Sequence, residues 1–208
     1  MTSAVRHWLG ALASALPCLG LAVVLVQVWL WPREWDNGRW VPYGIGLLLM
    51  EFLTLHSGGL FAGIALAQPR VLDRLKYFAI MLVFYAVFAW AFAAGTGSTS
   101  LLLVFAGVMT GRAVTLFLGD AADREALAKR SALGIVAFLT VTFGTIFIDV
   151  PEMGITRQLL DEVYPDRGDG GVWNRYPERA IVGAAVYFAL MGLAELTVLR
   201  SRSGAAVR

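Results

Sequence analysis

The chain has 208 residues, of which 58% are hydrophobic and only 15% are charged. Soluble domains carry about a quarter charged residues and slightly less than half apolar residues, so this composition indicates a membrane protein. The net charge is +2, and the sequence has no basic cluster rich in aromatic residues, which argues against a nucleic-acid-binding protein. The single cysteine, Cys18, excludes an internal disulfide and a thiolate metal cage.

The apolar residues fall into six blocks, each about long enough to cross a hydrocarbon core roughly 30 Å thick. The blocks are continuous rather than alternating, so we predict helices, which satisfy their own backbone hydrogen bonds in lipid. The sequence therefore predicts an all-α integral membrane protein, with a single six-helix bundle over residues 1–208. The first block is too long for a signal-peptide core and is predicted to be retained. The predicted spans are residues 8–30, 43–67, 77–94, 101–119, 132–148 and 180–199.

Basic residues between the spans predict the orientation. Most Lys and Arg residues flank the side that holds both termini, so the N- and C-termini are predicted to be cytoplasmic. Short connections favour a bacterial inner membrane. The outer side then holds a tryptophan-rich connection, residues 29–42, which is typical of an interfacial aromatic belt. It also holds a long acidic outer loop, residues 149–179, in which Asp149 and Glu152 predict the capping box of a short surface helix ending near Glu162.

The second span contains polar residues that hydrocarbon normally excludes. Glu51 and His56 lie inside its apolar run, together with Gly58, Gly59 and Gly63. An ionisable side chain near the middle of a membrane is usually paired, turned to the bundle interior, or functional. The glycines predict either close packing of a neighbouring helix or a helix break whose freed carbonyls line a cavity.

Polar residues on other spans fall at neighbouring depths when each residue is given a rise of about 1.5 Å. The residues predicted near the middle of the membrane are His56, Tyr85, Arg112 and Glu195. The residues predicted one or two turns nearer the outer surface are Glu51 and Tyr187.

An arginine in a dry interior needs an anionic partner, and the acids within the predicted spans are Glu51 and Glu195. We therefore predict an ion pair of Arg112 with Glu195 or with Glu51. The remaining acid would lie near His56, and a carboxyl and an imidazole together are able to pass a proton. Tyr85 and Tyr187 are predicted to assist in proton handling or substrate contact.

Cofactor and metal sites are not predicted. Both lysines fall in predicted loops, which argues against a retinal Schiff base, and a single embedded histidine argues against a bis-histidine haem. Glu51, His56 and Glu195 form too sparse a set for a metal centre.

Three functions stay open. The first is a small proton- or ion-coupled carrier or channel that uses the intramembrane Glu/His/Arg cluster. The second is a non-catalytic membrane subunit or scaffold whose polar residues only pack helices, with another protein or a second copy as its partner. The third is a membrane enzyme that acts on a lipid. The lipid bilayer is the surrounding medium in all three.

Overall fold

A computed structural model describes residues 3–68, 70–119, 121–165, 167–168 and 171–205. The regular secondary structure of these residues is helical. Two short 3-10 helices, Pro32–Glu34 and Asp36–Gly38, connect the first two α-helices. The α-helices are α1 (Ser3–Leu30), α2 (Trp40–Ala67), α3 (Val71–Thr96), α4 (Ser100–Phe117), α5 (Ala121–Phe147), α6 (Arg157–Val163), α7 (Val172–Arg175) and α8 (Pro177–Ala205).

Among the described residues, four helical segments are long and apolar enough to cross a membrane: Trp40–Ala67, Val71–Thr96, Leu127–Phe147 and Pro177–Leu196. Two shorter apolar stretches, Ala15–Leu30 and Ser100–Val114, lie in α1 and α4. For the described residues, an all-helical protein with helices long and apolar enough to span a membrane is therefore confirmed. That six segments cross the membrane, and that both termini are cytoplasmic, stay predictions. Residues 1–2 and 206–208, at the two termini, lie outside the described residues.

The chain divides into two compact units. The first contains Met1–Val41 and Thr140–Arg208, and the second contains Pro42–Leu139. The prediction of one membrane domain over residues 1–208 stays a prediction.

In the first unit, α1 packs along α8. Gly192 of α8 lies so close to α1 that an added Cβ would come within 2.6 Å of Leu19 Cγ. Leu25, Val28 and Ile181 are fully buried. A small residue at the contact lets two helix backbones approach closely, which is how helices commonly pack in lipid.

The two connections predicted on the outer side pack on each other in this unit. Trp29 Nε1 donates a hydrogen bond of 2.8 Å to the carbonyl oxygen of Pro151. Arg33 forms an ion pair of 3.0 Å with Glu162 of α6. These contacts fix the tryptophan-rich connection against the acidic loop.

A left-handed turn shapes the tryptophan-rich connection. Asp36 and Asn37 have φ values of 49° and 52°, and Gly38 follows with a φ of 95°. Leu159 of α6 packs over Gly38, where an added Cβ would lie 2.7 Å from Leu159 Cδ1. Glycine is therefore required here both by its backbone conformation and by the close approach.

The surface helix of the acidic loop begins later than the capping-box spacing predicts. It is α6, and Thr156, in an extended conformation, accepts a hydrogen bond of 3.3 Å from the backbone N–H of Leu159. Asp149 instead forms an ion pair with Arg179. The prediction that Asp149 and Glu152 begin this helix is wrong, because Asp149 is engaged with α8 and Thr156 caps the helix.

In the second unit, α2 packs against α3 and α4 through two apolar clusters. The cluster nearer the start of α2 contains Met50, Leu53, Tyr85, Ala89, Ala93 and Leu101. The cluster nearer its end contains Phe61, Ala65, Met109 and Leu116. Along α2, Glu51 lies within the stretch of the first cluster, and Thr54, His56 and Ser57 lie between the two clusters.

Helix α5 extends well before the span predicted at residues 132–148. Residues 121–131, predicted as a connection, are helical from Ala121 onwards. Glu125 and Lys129 form an ion pair of 2.6 Å at the i,i+4 spacing. Polar residues with high helix propensity thus prolong the helix beyond its apolar part.

Candidate functional site

Helix α2 supplies most of the candidate site. The helix continues through Gly58 and Gly59, so the helix break that these glycines could have formed is absent there. Thr54 Oγ1 donates to the carbonyl oxygen of Met50 at 2.9 Å, and Ser57 Oγ donates to the carbonyl oxygen of Thr54 at 3.1 Å. These hydroxyl groups are satisfied on their own helix, as is usual for Ser and Thr within helices.

His56 and Tyr85 meet between α2 and α3. The Tyr85 hydroxyl lies 2.8 Å from His56 Nδ1, within hydrogen-bonding distance. Tyr85 is fully buried, whereas the His56 side chain is exposed at the surface of the chain. The ring of Phe52 stacks on the imidazole with a centroid distance of 5.7 Å and an interplanar angle of 7°. The imidazole is therefore contacted by Tyr85 and Phe52, and the rest of its surface is exposed.

Arg112 of α4 reaches onto the backbone of α2. Its Nη2 donates a hydrogen bond of 3.0 Å to the carbonyl oxygen of Thr54. An added Cβ on Gly58 would lie 3.0 Å from Arg112 Nη2 and would collide with Ser131 Oγ of α5. Gly58 therefore leaves the space in which Arg112 and Ser131 approach α2.

Two charges act on the Arg112 guanidinium. Glu51 is the acid that stabilises its charge, and Arg130 of α5 is a cation that opposes it. The half-buried Glu51 lies one turn before Thr54 on α2, on the face that also presents Gly58. The Arg112 guanidinium is therefore influenced by a carboxylate of α2 and by a second guanidinium of α5.

The three glycines of α2 differ in their surroundings. Gly58 is enclosed, as described above. An added Cβ on Gly59 would make an ordinary contact of 3.9 Å with Ser131 Cβ. An added Cβ on Gly63 would meet no atom of the described residues within 4 Å. Of these three glycines, Gly58 is therefore the one against which side chains of neighbouring helices pack closely.

Tyr187 and Glu195 lie on α8, in the first unit. Tyr187 is fully buried, and its ring centroid is 5.1 Å from that of Phe188. Glu195 is half-buried. The structure brings His56 to Tyr85, and Glu51 interacts electrostatically with Arg112. The predicted ion pair of Arg112, with Glu195 or with Glu51, stays a prediction.

Sequence reasoning missed three residues of this site: Thr54, Arg130 and Ser131. Thr54 contributes its backbone carbonyl, which carries no side-chain signal. Ser131 and Arg130 lie just before the predicted start of the fifth span, so they were assigned to a connection. The sequence signal that could have pointed to Arg130 is its charge directly beside an apolar block.

Across the described ranges, no three His, Cys, Asp or Glu side chains lie close enough together to hold a metal ion. Comparison with protein-family models, curated proteins and solved structures finds no match for this chain. The chemistry of the site therefore rests on its own geometry. His56 and Tyr85 share a hydrogen bond, and the Arg112 region carries opposed charges beside a continuous helix.

Proposed function

We propose that this protein is a small carrier or channel of the bacterial inner membrane that moves a proton or an ion. In this proposal all six apolar segments cross the membrane, both termini are cytoplasmic, and α2 carries the conducting groups. The observation that supports it is the 2.8 Å hydrogen bond between Tyr85 Oη and His56 Nδ1, which joins two helices long and apolar enough to span a membrane.

The pair suits proton handling because each charge state of the imidazole finds a partner in the phenol. A neutral imidazole with its proton on Nε2 accepts a hydrogen bond at Nδ1 from the Tyr85 hydroxyl. A charged imidazole donates from Nδ1 to the same oxygen. An imidazole is able both to accept and to donate a proton, so we assign uptake and release of the proton to His56, while Tyr85 holds the ring.

Glu51 and Arg112 form the second part of the pathway. Glu51 lies five positions before His56, about 140° around the helix axis, so the two groups face different sides of α2. Arg112 stabilises the charge of Glu51, because opposite charges attract strongly where water is scarce. Glu51 then stays charged and attracts cations to one face of α2, and His56 takes up the proton on the other face.

The exposed imidazole of His56 also favours a second function, that of a non-catalytic membrane subunit. Hydrocarbon solvates an imidazole poorly, so an exposed histidine within a span is better placed against a protein than against lipid. In that case a partner protein or a second copy covers His56, and the polar groups of α2 only hold helices together.

Proton flux in proteoliposomes separates the two functions. Vesicles with a trapped pH-sensitive dye receive a pH gradient, and the initial rate is compared for wild type, His56→Ala and Glu51→Gln. We expect both substitutions to abolish most of the flux. Glu162→Gln, which removes a carboxylate of the outer ion pair with Arg33, is the matched control and should retain it. Equal flux in all four proteins would eliminate the carrier and favour the subunit.

A further inference from the structure

His56 is an exposed polar side chain within a long apolar helix. It lies about 24 Å along α2 from Trp40 and about 16 Å from Ala67. Where α2 crosses a bilayer, the imidazole therefore lies well inside both borders of a hydrocarbon core roughly 30 Å thick. Tyr85 and Phe52 contact the ring, and the rest of its surface is exposed. Hydrocarbon offers no hydrogen-bond partner, so a polar edge exposed at this depth is costly.

The hydrogen bond with Tyr85 determines which nitrogen of the neutral imidazole carries the proton. Tyr85 is fully buried, and in the described part of the chain its hydroxyl has His56 Nδ1 as its one hydrogen-bond partner. If Nδ1–H donated, the hydroxyl hydrogen of Tyr85 would be buried without an acceptor, which is costly. Tyr85 therefore donates to Nδ1, and the proton of the imidazole lies on Nε2. That N–H group has no acceptor among the residues that the structure describes.

A donor on Nε2 selects its ligand by chemistry. A metal ion requires the lone pair of the ring nitrogen, whereas a carbonyl oxygen accepts a hydrogen bond from Nε2–H. The Phe52 ring is parallel to the imidazole within 7°. A planar ligand ring that is coplanar with the imidazole is then parallel to Phe52 as well, the orientation that offset stacking requires. The exposed edge of His56 therefore matches a planar, apolar ring that bears a carbonyl group.

We propose that the Nε2–H group of His56 binds the ring carbonyl of a membrane-soluble quinone. Ester carbonyls of phospholipids share the acceptor chemistry, but they lie at the borders of the hydrocarbon core and not at the depth of His56. The inference goes beyond the proposed function, because a quinone bound at His56 requires that α2 crosses the membrane but not that a proton does.

The test follows the nitrogen resonances of His56 in the full chain, labelled with nitrogen-15 histidine. The protein is placed in nanodiscs of ether-linked phosphatidylcholine, which has no ester carbonyl, and a benzoquinone with one isoprenoid unit is added stepwise. The resonances of His56 are assigned by their loss in His56→Phe. We expect Nε2 to carry the proton before the quinone is added, and its resonance to shift saturably as the hydrogen bond forms. Ester-linked phosphatidylcholine without quinone, the second arm, should leave the resonance unshifted.

Three variants test the contact by the amount of quinone that nanodiscs retain, corrected for nanodiscs without protein. His56→Phe keeps a flat ring and removes the donor, so we expect it to weaken binding about tenfold or more. Tyr85→Phe removes the hydroxyl that positions the proton, so it should weaken binding less and show both tautomers in the nitrogen spectrum. Thr110→Val is the matched control, because it removes an exposed hydroxyl from α4, and it should bind as wild type does.

The proposal is overturned if quinone produces no saturable shift, if Nε2 of the wild type carries no proton, or if ester-linked lipid alone produces the same shift. Equal quinone retention by His56→Phe and wild type would also overturn it. These readouts do not depend on proton flux. A protein that binds quinone without conducting protons would refute the proposed function and leave this inference intact.

Discussion

Arg112 on α4 donates a hydrogen bond of 3.0 Å to the backbone carbonyl oxygen of Thr54 on α2. The same oxygen accepts a hydrogen bond of 3.1 Å from Ser57 Oγ. The contact joins a charged side chain to the backbone of a neighbouring span, directly beside Gly58. It therefore depends on the absence of a side chain at Gly58 as much as on Arg112 itself.

Gly58→Ala tests this dependence. The added methyl group would collide with Ser131 Oγ and crowd Arg112 Nη2, so we expect a loss of about 1–3 kcal/mol of stability from overpacking. Gly63→Ala on the same helix is the control, because its methyl group meets open space. That variant should be neutral or gain about 0.5–1 kcal/mol from helix propensity. Unfolding in mixed detergent micelles measures both, and equal stabilities of the two variants would contradict the packing at Gly58.

The coupling between Arg112 and Glu51 is measurable by a double-mutant cycle. Arg112→Gln removes the charged group that donates to the Thr54 carbonyl oxygen and that interacts electrostatically with Glu51, so we expect a loss of about 1.5–3 kcal/mol. Glu51→Gln in the Arg112→Gln background should cost less than in wild type, with a coupling of about 0.5–3 kcal/mol. Strictly additive free energies of unfolding would show that the two residues do not interact.

The cap of α6 gives a prediction for the first unit. Thr156→Ala removes the hydroxyl that accepts from the Leu159 N–H, and we expect it to cost about 0.5–2 kcal/mol. Thr156→Ser keeps a hydroxyl at the cap and should retain most of the stability. Hydrogen exchange of the α6 amides measures the effect locally. Similar exchange rates in the Ala and Ser variants would show that Thr156 does not cap the helix.

Hydropathy predicted where membrane-crossing segments lie, and it predicted helix ends less well. The second span was predicted from residue 43, and α2 begins at Trp40, because Pro42 is tolerated in the first turn. Helix α5 begins at Ala121, because residues such as Glu125 and Lys129 form helix without being apolar. Apolar length reports the part of a helix in lipid, whereas helix propensity and capping set its ends.

The candidate site was only partly accessible to sequence reasoning. His56 and Tyr85 were placed at one depth from the rise per residue, and they form a hydrogen bond. Depth does not give rotation about the helix axis, so the exposure of His56 and the enclosure of Gly58 required coordinates. The role of Thr54 could not be predicted, because its contact with Arg112 uses a backbone carbonyl that every residue possesses.

The most direct test of proton handling by His56 and Tyr85 is the proton flux of Tyr85→Phe compared with Tyr77→Phe in proteoliposomes. Both substitutions remove one hydroxyl from α3, but Tyr85 is fully buried against His56, whereas Tyr77 is 40% exposed. Tyr85→Phe should lower the flux about tenfold or more, because a hydrogen bond to a charged imidazole is worth about 1.5–3 kcal/mol. Tyr77→Phe should leave it unchanged. Wild-type flux in Tyr85→Phe would contradict the proposal that this pair carries the proton.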